Sequence, residues 1–210
     1  SHSVENDKAK NLLPQYVELL SKELSITGEI AKNTGVTLES IYIGGGTPTC
    51  VPYETIVSMM NIVKTSFFLT DDCEFTMECN PDDLTERYLS DLRNLPINRL
   101  SIGVQSFVDD ELKWLNRRHT AAEAIEAVKR AQRAGFKNIT IDLMFALPVQ
   151  TLDSLNYSIN KALELGVQHI SAYSLMFEPD SKITKLMEQN RLEPLDEDTA
   201  ADMFDLLSQR

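Results

Sequence analysis

The chain alternates short apolar runs with longer amphipathic stretches. Short stretches of strand length cover residues 40–43, 73–78, 99–105, 139–144 and 169–176, and the second of them alternates acidic and apolar residues. In the other stretches, apolar residues recur every three or four positions. This spacing predicts helices over residues 12–31, 53–66, 85–95, 109–115, 121–134, 152–165, 183–189 and 196–207. Strands that alternate with helices in this way are typical of parallel βα units, so the pattern predicts an α/β fold with five parallel strands.

The first predicted helix, over residues 12–31, has an apolar side and a proline near its start. Pro14 falls in its first turn, where a missing N–H costs little. The apolar side consists of Leu12, Tyr16, Leu19, Leu20, Leu24 and Ile30. Gly135 and Gly166 directly follow two later helices, as glycines at helix C-termini often do. The strand ends lie roughly 30 residues apart, the size of one βα unit, and no long linker interrupts them. The sequence therefore predicts one domain over residues 1–210.

Polar residues follow or interrupt the predicted strands near their carboxyl ends. The first strand ends at the glycine run from Gly44, the polar residues are Glu78, Gln105, Asp142 and Tyr173, and the fifth run continues toward Glu178. In parallel βα folds the carboxyl ends of the strands meet on one face, where ligands bind. Each polar residue alone is equally well explained as a loop edge or helix cap, but their joint occurrence favours a binding site.

Asp142 is the most informative of these residues. It interrupts residues 139–144, which otherwise have the composition of a buried strand. A buried carboxylate is costly unless it is paired or hydrogen-bonded. We therefore expect a role in ligand binding, with a structural ion pair to Arg99 or Arg117 as the alternative.

Three of the chain's 8 glycines are consecutive, at residues 44–46. Such a run leaves the main chain open to close approach by a ligand. The run does not match G-x-G-x-x-G, and no lysine follows it as in a P-loop, so a tight turn is the alternative. Arg117, Arg118 and His119 form a second cluster between two helices. This cluster either positions an anionic ligand or acidic partner, or supplies a catalytic histidine.

Composition and charge exclude several classes of protein. The net charge of -12 and the pI of about 4.7 disfavour nucleic acid as a general partner. No apolar run approaches the ~20 residues of a membrane span, and no secretory leader is visible. The three cysteines, Cys50, Cys73 and Cys79, match no common metal-binding spacing. We expect reduced thiols and a cytoplasmic location.

Six motifs occur in a fixed order along the chain. They are Ile-Tyr-Ile-Gly-Gly-Gly-Thr-Pro-Thr (41–49), Phe-Thr-Met-Glu-Cys-Asn-Pro (75–81), Asn-Arg-Leu-Ser-Ile-Gly-Val-Gln-Ser-Phe (98–107), Asn-Arg-Arg-His (116–119), Ile-Asp-Leu-Met-Phe-Ala-Leu-Pro (141–148) and His-Ile-Ser-Ala-Tyr-Ser-Leu (169–175). The ordered set resembles the radical S-adenosylmethionine (SAM) proteins related to oxygen-independent coproporphyrinogen III oxidase. Within that group it is most similar to the haem chaperone branch, and the resemblance covers nearly all of the chain.

This resemblance implies a partial (β/α) TIM-like barrel of the radical SAM type, with about five parallel strands present and SAM bound at the carboxyl rim. The residues that it assigns to SAM are Gly44, Gly45, Gly46 and Thr47 at the amino-acid end, Glu78 as a hydrogen-bond partner, Gln105 and Arg117 near the ribose and carboxylate, and Asp142 at a ribose hydroxyl. These residue types suit their assigned partners, because carboxylates accept from hydroxyls or ammonium groups and arginine binds carboxylates.

The resemblance also implies a part that this sequence lacks. The family's first strand ends in a Cys-x3-Cys-x2-Cys loop that binds a [4Fe–4S] cluster, and the spacing of Cys50, Cys73 and Cys79 cannot replace it. We therefore expect an incomplete core domain over residues 1–210, without the first βα element and the family's C-terminal domain. The cluster is expected in the full-length parent only. In the family it reduces SAM to methionine and a 5′-deoxyadenosyl radical, so this chain is expected to hold no metal, contain no catalytic residue and be inactive alone.

Three functions remain open at this point. The first is a haem chaperone that binds haem and delivers it to an acceptor protein. The second is an oxygen-independent coproporphyrinogen III oxidase that decarboxylates propionate side chains by radical chemistry. The third is a βα protein that uses the same rim for another small ligand without radicals. Two departures from the family pattern, Ala146 and Asp180, stand where glycine is usual, and the first is expected to alter its loop.

Overall fold

The computed structural model describes residues 7–177, 179, 182–189 and 192–210, with side chains for all of these except 7–11 and 182. Glu178 and Asp180, both singled out in the sequence, lie outside the described residues. The five strands are β1 (Thr37–Ile43), β2 (Phe68–Cys79), β3 (Arg99–Gln105), β4 (Asn138–Phe145) and β5 (His169–Ser174).

Eight helices occur among the described residues. They are α1 (Asp7–Asn33), α2 (Tyr53–Ser66), α3 (Glu86–Leu92), α4 (Asp109–Trp114), α5 (Ala121–Arg133), α6 (Leu152–Glu164), α7 (Lys182–Glu188) and α8 (Glu197–Ser208). Every predicted helix and strand is present, and α2 and β3 have the predicted bounds. Two short 3₁₀ turns, Pro48–Cys50 and Pro81–Asp83, follow β1 and β2 and were not predicted as helical.

The five strands form one sheet in the order β1-β2-β3-β4-β5. β1 pairs with β2 in parallel, with Ile43 opposite Met77, and β4 pairs with β5 in parallel, with Asp142 opposite Ser171. Strand neighbours in the sheet are also neighbours in the sequence, joined by helices, as parallel pairing requires. The predicted α/β fold with five parallel strands is confirmed.

The chain divides into two compact units. The first unit contains the described residues up to Cys79 together with Glu86–Leu100, and the second contains Asn80–Thr85 together with the described residues from Ser101. β3 begins in the first unit and continues in the second. The single domain over residues 1–210 stays a prediction.

In the first unit, the apolar side predicted for the first helix is largely exposed. Leu12, Tyr16, Leu19 and Ile30 are each about 60% exposed, whereas Leu20 and Leu24 are half-buried. Among the residues of α1 whose side chains are described, Gly28 alone is buried, and it packs against Ser66 of α2 so closely that a side chain there would collide. Pro14 was expected in the first turn, and this is wrong, because α1 begins at Asp7 and Pro14 lies inside it.

In the second unit, apolar side chains of the strands and helices form a buried core. Its fully buried members include Ile102, Val104, Val128, Ile141, Leu143 and Leu155. Reciprocal hydrogen bonds fix the starts of two helices: Thr120 with Glu123 at α5, and Thr151 with Ser154 at α6. The glycines that follow α5 and α6 have positive φ, as expected at helix C-termini.

Candidate functional site

The three consecutive glycines form an exposed turn at the end of β1 in the first unit. Gly45 and Gly46 have φ of 83° and 72°, in the left-handed region that side chains rarely adopt. At Gly44 an added Cβ would lie 2.7 Å from Oε1 of Glu78 and 2.7 Å from Cε1 of Tyr42, so these side chains would have to move. Conformation and space together therefore account for this run of glycines.

Glu78 lies in β2, and its half-buried carboxylate holds this turn. Oε2 accepts a hydrogen bond of 3.0 Å from the main-chain N–H of Gly45, and Oε1 accepts one of 3.0 Å from the hydroxyl of Tyr42. A carboxylate accepts about four hydrogen bonds, so Glu78 retains capacity for ligand donors. The structure thus brings the glycine turn and Glu78 together, as two of the sequence assignments require. Thr47 is half-buried at the start of the following 3₁₀ turn.

Tyr42 is a member of this group that sequence reasoning missed. It lies in β1 two residues before Gly44, which directly follows the strand, and a Cβ built on Gly44 would meet its ring. The β1–β2 register places it opposite Thr76, two residues before Glu78. Its place two residues before the glycine run is therefore the signal that could have found it.

In the second unit, Gln105 ends β3 in an unusual conformation. Its φ is 70°, which is uncommon for a residue with a side chain and often marks a functional turn. Oε1 accepts a hydrogen bond of 2.6 Å from the hydroxyl of Tyr173 in β5. Nε2 has no hydrogen-bond partner among the described residues, so two N–H donors of this carboxamide remain for a ligand.

Arg117 is a half-buried cation that is held by neutral oxygens. Nη2 donates to Oδ1 of Asn80 at 2.7 Å and to the carbonyl of Gly103 at 3.0 Å. Burial lowers the pKa of Arg117, and the negative charges of Asp82 and Asp83 partly oppose that shift. Within the described part of the chain, no carboxylate oxygen lies within 4.0 Å of its guanidinium. An oriented guanidinium without such a partner is suited to an anionic ligand.

The two residues after Arg117 are tied to the 3₁₀ turn that follows β2. Arg118 pairs with Asp82 at 2.6 Å and with Asp83 at 3.5 Å. His119 is buried, with Nε2 3.1 Å from the carbonyl of Val104 and Nδ1 3.8 Å from Oδ1 of Asp82. Burial lowers the pKa of His119, which favours the neutral ring. These contacts favour a structural role for His119 over the catalytic role considered from the sequence.

Asp142 lies within β4 and is half-buried. Its Oδ1 accepts a hydrogen bond of 3.0 Å from the hydroxyl of Ser101 in β3. Of the two arginines considered as ion-pair partners, Arg99 binds Glu74 at 2.9 Å and Arg117 binds the oxygens described above. Asp142 in β4 and Gln105 at the end of β3 both belong to the second unit.

Ala146 follows β4 and has a φ of 59°. This is the left-handed conformation that glycine adopts without penalty, whereas a Cβ costs roughly 1–2 kcal/mol there. The backbone therefore has the turn that a glycine would make, and the alanine strains it.

The cysteines do not form a metal centre. Cys50 is exposed, while Cys73 and Cys79 are buried in β2. Burial, with a smaller effect of Asp72 and Glu74, raises the pKa of the Cys73 thiol and so disfavours the thiolate that iron requires. The described residues contain no group of three or more histidine, cysteine or acidic side chains that could hold a metal. These cysteines do not fit a [4Fe–4S] cluster.

None of the described helices is both long and apolar enough to cross a membrane.

The chain is similar in sequence to one protein family and to several curated proteins that share one name. The model of the Radical SAM superfamily matches residues 15–162, more than half of the chain. The heme chaperone HemW of Bacillus subtilis (strain 168) is 40% identical over 194 residues, which cover 92% of this chain and 51% of that protein. HemW of Escherichia coli (strain K12) is 36% identical over 166 residues, which cover 79% of this chain and 43% of that protein. The chain spans about half the length of the curated relatives it matches.

Two solved structures have the same fold. Coproporphyrinogen III oxidase (HemN) from Escherichia coli, a radical SAM enzyme, matches with a TM-score of 0.77 and 25% identity, over 92% of this chain and 44% of that one. Elp3 of the archaeon Methanocaldococcus infernus matches with a TM-score of 0.70 over 88% of this chain and 48% of that one. At 16% identity, the second likeness concerns the fold alone.

Proposed function

The chain belongs to the radical SAM superfamily, and from this membership we propose that it is the SAM-binding core of a haem chaperone. One observation carries the choice of branch. Identity to the heme chaperone HemW of Bacillus subtilis is 40% over 92% of the chain, against 25% to the oxidase HemN over the same share. In this proposal the complete gene product binds haem and passes it to an acceptor protein in the cytoplasm.

For the amino-acid end of SAM, we propose the glycine turn and Glu78. The turn presents main-chain atoms without side chains, and Glu78 has accepting capacity beyond its bonds to Tyr42 and Gly45. The ammonium group of SAM carries three donors and a positive charge, which a carboxylate binds through charge-assisted hydrogen bonds. Thr47 would contribute its main chain or hydroxyl beside the turn.

For the remaining groups of SAM, we propose Arg117, Gln105 and Asp142. Arg117 suits the carboxylate, because its charge has no carboxylate within 4.0 Å among the described residues. Asp142 suits a ribose hydroxyl, since it already accepts from the hydroxyl of Ser101. Gln105 offers the two donors of Nε2 to ribose oxygens. Each assignment stands alone and is tested by its own substitution.

Members of the superfamily use a [4Fe–4S] cluster to reduce SAM, and we propose a cluster for the complete gene product. Cys50, Cys73 and Cys79 are not assigned as its ligands, because two of these thiols are buried in β2 and no metal-binding group forms among the described residues. The part proposed for the present residues is to bind and orient SAM.

The alternative is an oxygen-independent coproporphyrinogen III oxidase. The observation that favours it is the TM-score of 0.77 to HemN over 92% of this chain. In that case the same SAM site would serve the oxidative decarboxylation of propionate side chains. Both functions bring a tetrapyrrole to the protein, so binding of a porphyrin alone does not separate them.

Two measurements on the complete gene product separate the candidates. Haem titration followed by the Soret band is expected to saturate at a defined stoichiometry. Incubation with coproporphyrinogen III, SAM and a reductant under anaerobic conditions is expected to release no carbon dioxide above background. Sustained turnover of coproporphyrinogen III would overturn the chaperone proposal, and failure of both assays would favour another small ligand.

A further inference from the structure

A buried polar cluster lies beside the end of β3 in the second unit, and Glu111 is its centre. Glu111 is 2% exposed. Its Oε2 accepts from Oγ of Ser106 at 2.6 Å and from Nε2 of Gln150 at 3.1 Å, and its Oε1 accepts from Oγ of Ser154 at 2.5 Å. Within the described chain no cationic side chain pairs with it. A carboxylate buried with only neutral donors is costly unless every acceptor is satisfied.

The Glu111 cluster fixes the main chain that directly follows Gln105. Oγ of Ser106 accepts from the N–H of Val108 at 3.0 Å, and Oγ of Ser158 accepts from the N–H of Phe107 at 3.1 Å. The main-chain N–H groups of Phe107 and Val108 are thus held by buried hydroxyl groups, and the hydroxyl of Ser106 is held by Glu111. A glutamine with a φ of 70° persists only where its surroundings impose that conformation. The cluster provides those surroundings.

The same cluster reaches the end of β4. Gln150 donates from Nε2 to the carbonyl of Met144 at 3.2 Å, and its Oε1 accepts from the N–H of Leu147 at 3.5 Å. These two bonds span Ala146, whose φ is also positive. One carboxylate therefore supports both strained turns at the ends of β3 and β4.

We propose that Glu111 is a positioning residue for the SAM site: through Ser106 it fixes the main chain of Gln105 and so the direction in which the Gln105 carboxamide meets the nucleoside. This inference rests on the proposed function, because it requires Gln105 to contact SAM. A carboxylate that served the fold alone would affect stability without acting through Gln105.

A double-mutant cycle on the complete gene product tests this role. SAM binding is measured by calorimetry for the wild type, Glu111→Gln, Gln105→Ala and the double variant. Glutamine keeps the size of Glu111 but replaces one carboxylate oxygen by an NH2 donor, so at least one of the three donors that bond Glu111 loses its acceptor. We expect each single substitution to weaken SAM binding about tenfold, and the double variant to be no weaker than Gln105→Ala alone.

Glu74→Gln is the matched control, since it makes the same change in a carboxylate that bonds Thr76 and Arg99 and none of the residues that follow Gln105. It is expected to leave SAM affinity unchanged, whereas Glu111→Gln weakens it. If Glu111→Gln does not fold, Ser106→Ala takes its place in the cycle.

The outcomes are distinguishable. Full additivity in the double variant, or unchanged affinity in folded Glu111→Gln, overturns the role of Glu111 while leaving the SAM site intact. Unchanged affinity in Gln105→Ala overturns the assignment of Gln105 to SAM, and the role of Glu111 with it.

Discussion

Two carboxylates, Glu78 and Glu111, differ in how completely the protein satisfies them. Glu111 is buried and accepts three hydrogen bonds from neutral side chains. Glu78 is half-buried at the edge of an exposed glycine turn and accepts two. A buried carboxylate that accepts three hydrogen bonds stabilises the structure around it, whereas one with fewer bonds and access to solvent can still bind a ligand. Burial of acidic groups alone therefore does not identify a binding residue.

The largest effect that this comparison predicts is on stability, in Glu111→Ala. The substitution removes the Glu111 acceptor from the buried donors of Ser106 and Gln150 and from the half-buried hydroxyl of Ser154. We expect the free energy of unfolding to fall by about 3 kcal/mol, measured by urea denaturation. A loss below about 1 kcal/mol would mean that these donors find new partners, and the contrast with Glu78 would fail.

The second-largest predicted effect is a loss of SAM affinity in Glu78→Ala. Loss of a charge-assisted hydrogen bond is expected to weaken SAM binding about thirtyfold, or about 2 kcal/mol, in the complete gene product. The free energy of unfolding should change by less than 1 kcal/mol, because the site is half-exposed. Calorimetry and urea denaturation of the same variant check both values.

Glu74→Ala is the matched control for Glu78. It lies in the same strand and pairs with Arg99 at 2.9 Å, outside the glycine turn. Its SAM affinity should equal that of the wild type. Gly44→Ala offers a second approach, since the added Cβ would displace the Glu78 carboxylate and weaken SAM binding. Unchanged affinity in both Glu78→Ala and Gly44→Ala would remove Glu78 from the site.

The effect of burial on a charged group can also be tested at His119, by varying the pH. Burial lowers its pKa from the ordinary value of 6.5, so the folded state disfavours the charged ring. The corresponding stability is present above pH 6.5 and is lost as the pH falls through the lower pKa of the folded state. We expect urea denaturation to show this loss in the wild type and a shallower slope below pH 6.5 in His119→Gln. Equal slopes would show that Asp82 compensates the charge.

The smallest effect is expected at Ala146. Ala146→Gly removes the strain of a φ of 59° but increases the freedom of the unfolded chain, so stability should rise by only about 0.5 kcal/mol. Ala134→Gly is the control, because Ala134 has a φ of -71° and gains nothing from glycine. A higher melting temperature in the control than in Ala146→Gly would contradict the strain at Ala146.

The order of elements and most of the proposed site residues could be predicted from the sequence. Hydrophobic periodicity located every strand and helix, and polar residues at strand ends indicated Glu78, Gln105 and Asp142. These signals are local, because they depend on neighbours within one strand or helix. The exposed side of α1 was not predictable in this way, since periodicity gives an apolar face without saying whether another element covers it.

The Glu111 cluster could not be predicted for a different reason. Its members, Ser106, Glu111, Gln150, Ser154 and Ser158, come from two separate parts of the sequence and from three types of residue that are common on surfaces. Only the fold brings them together. Tyr42 was missed because tyrosine is common in strands. Its presence in a predicted strand therefore gives no sign of a role in binding.

The glycine turn has a consequence for how substitutions at this site should be interpreted. At Gly44 every other residue adds a Cβ that meets Glu78 and Tyr42, so the chemistry of the new side chain matters little. In a saturation library, all substitutions of Gly44 should weaken SAM binding by a similar factor. Glu78 should instead show graded tolerance, with glutamine and aspartate above apolar residues. Gly44 is needed because it has no side chain, whereas Glu78 is needed for its carboxylate. The two positions should therefore tolerate different sets of residues.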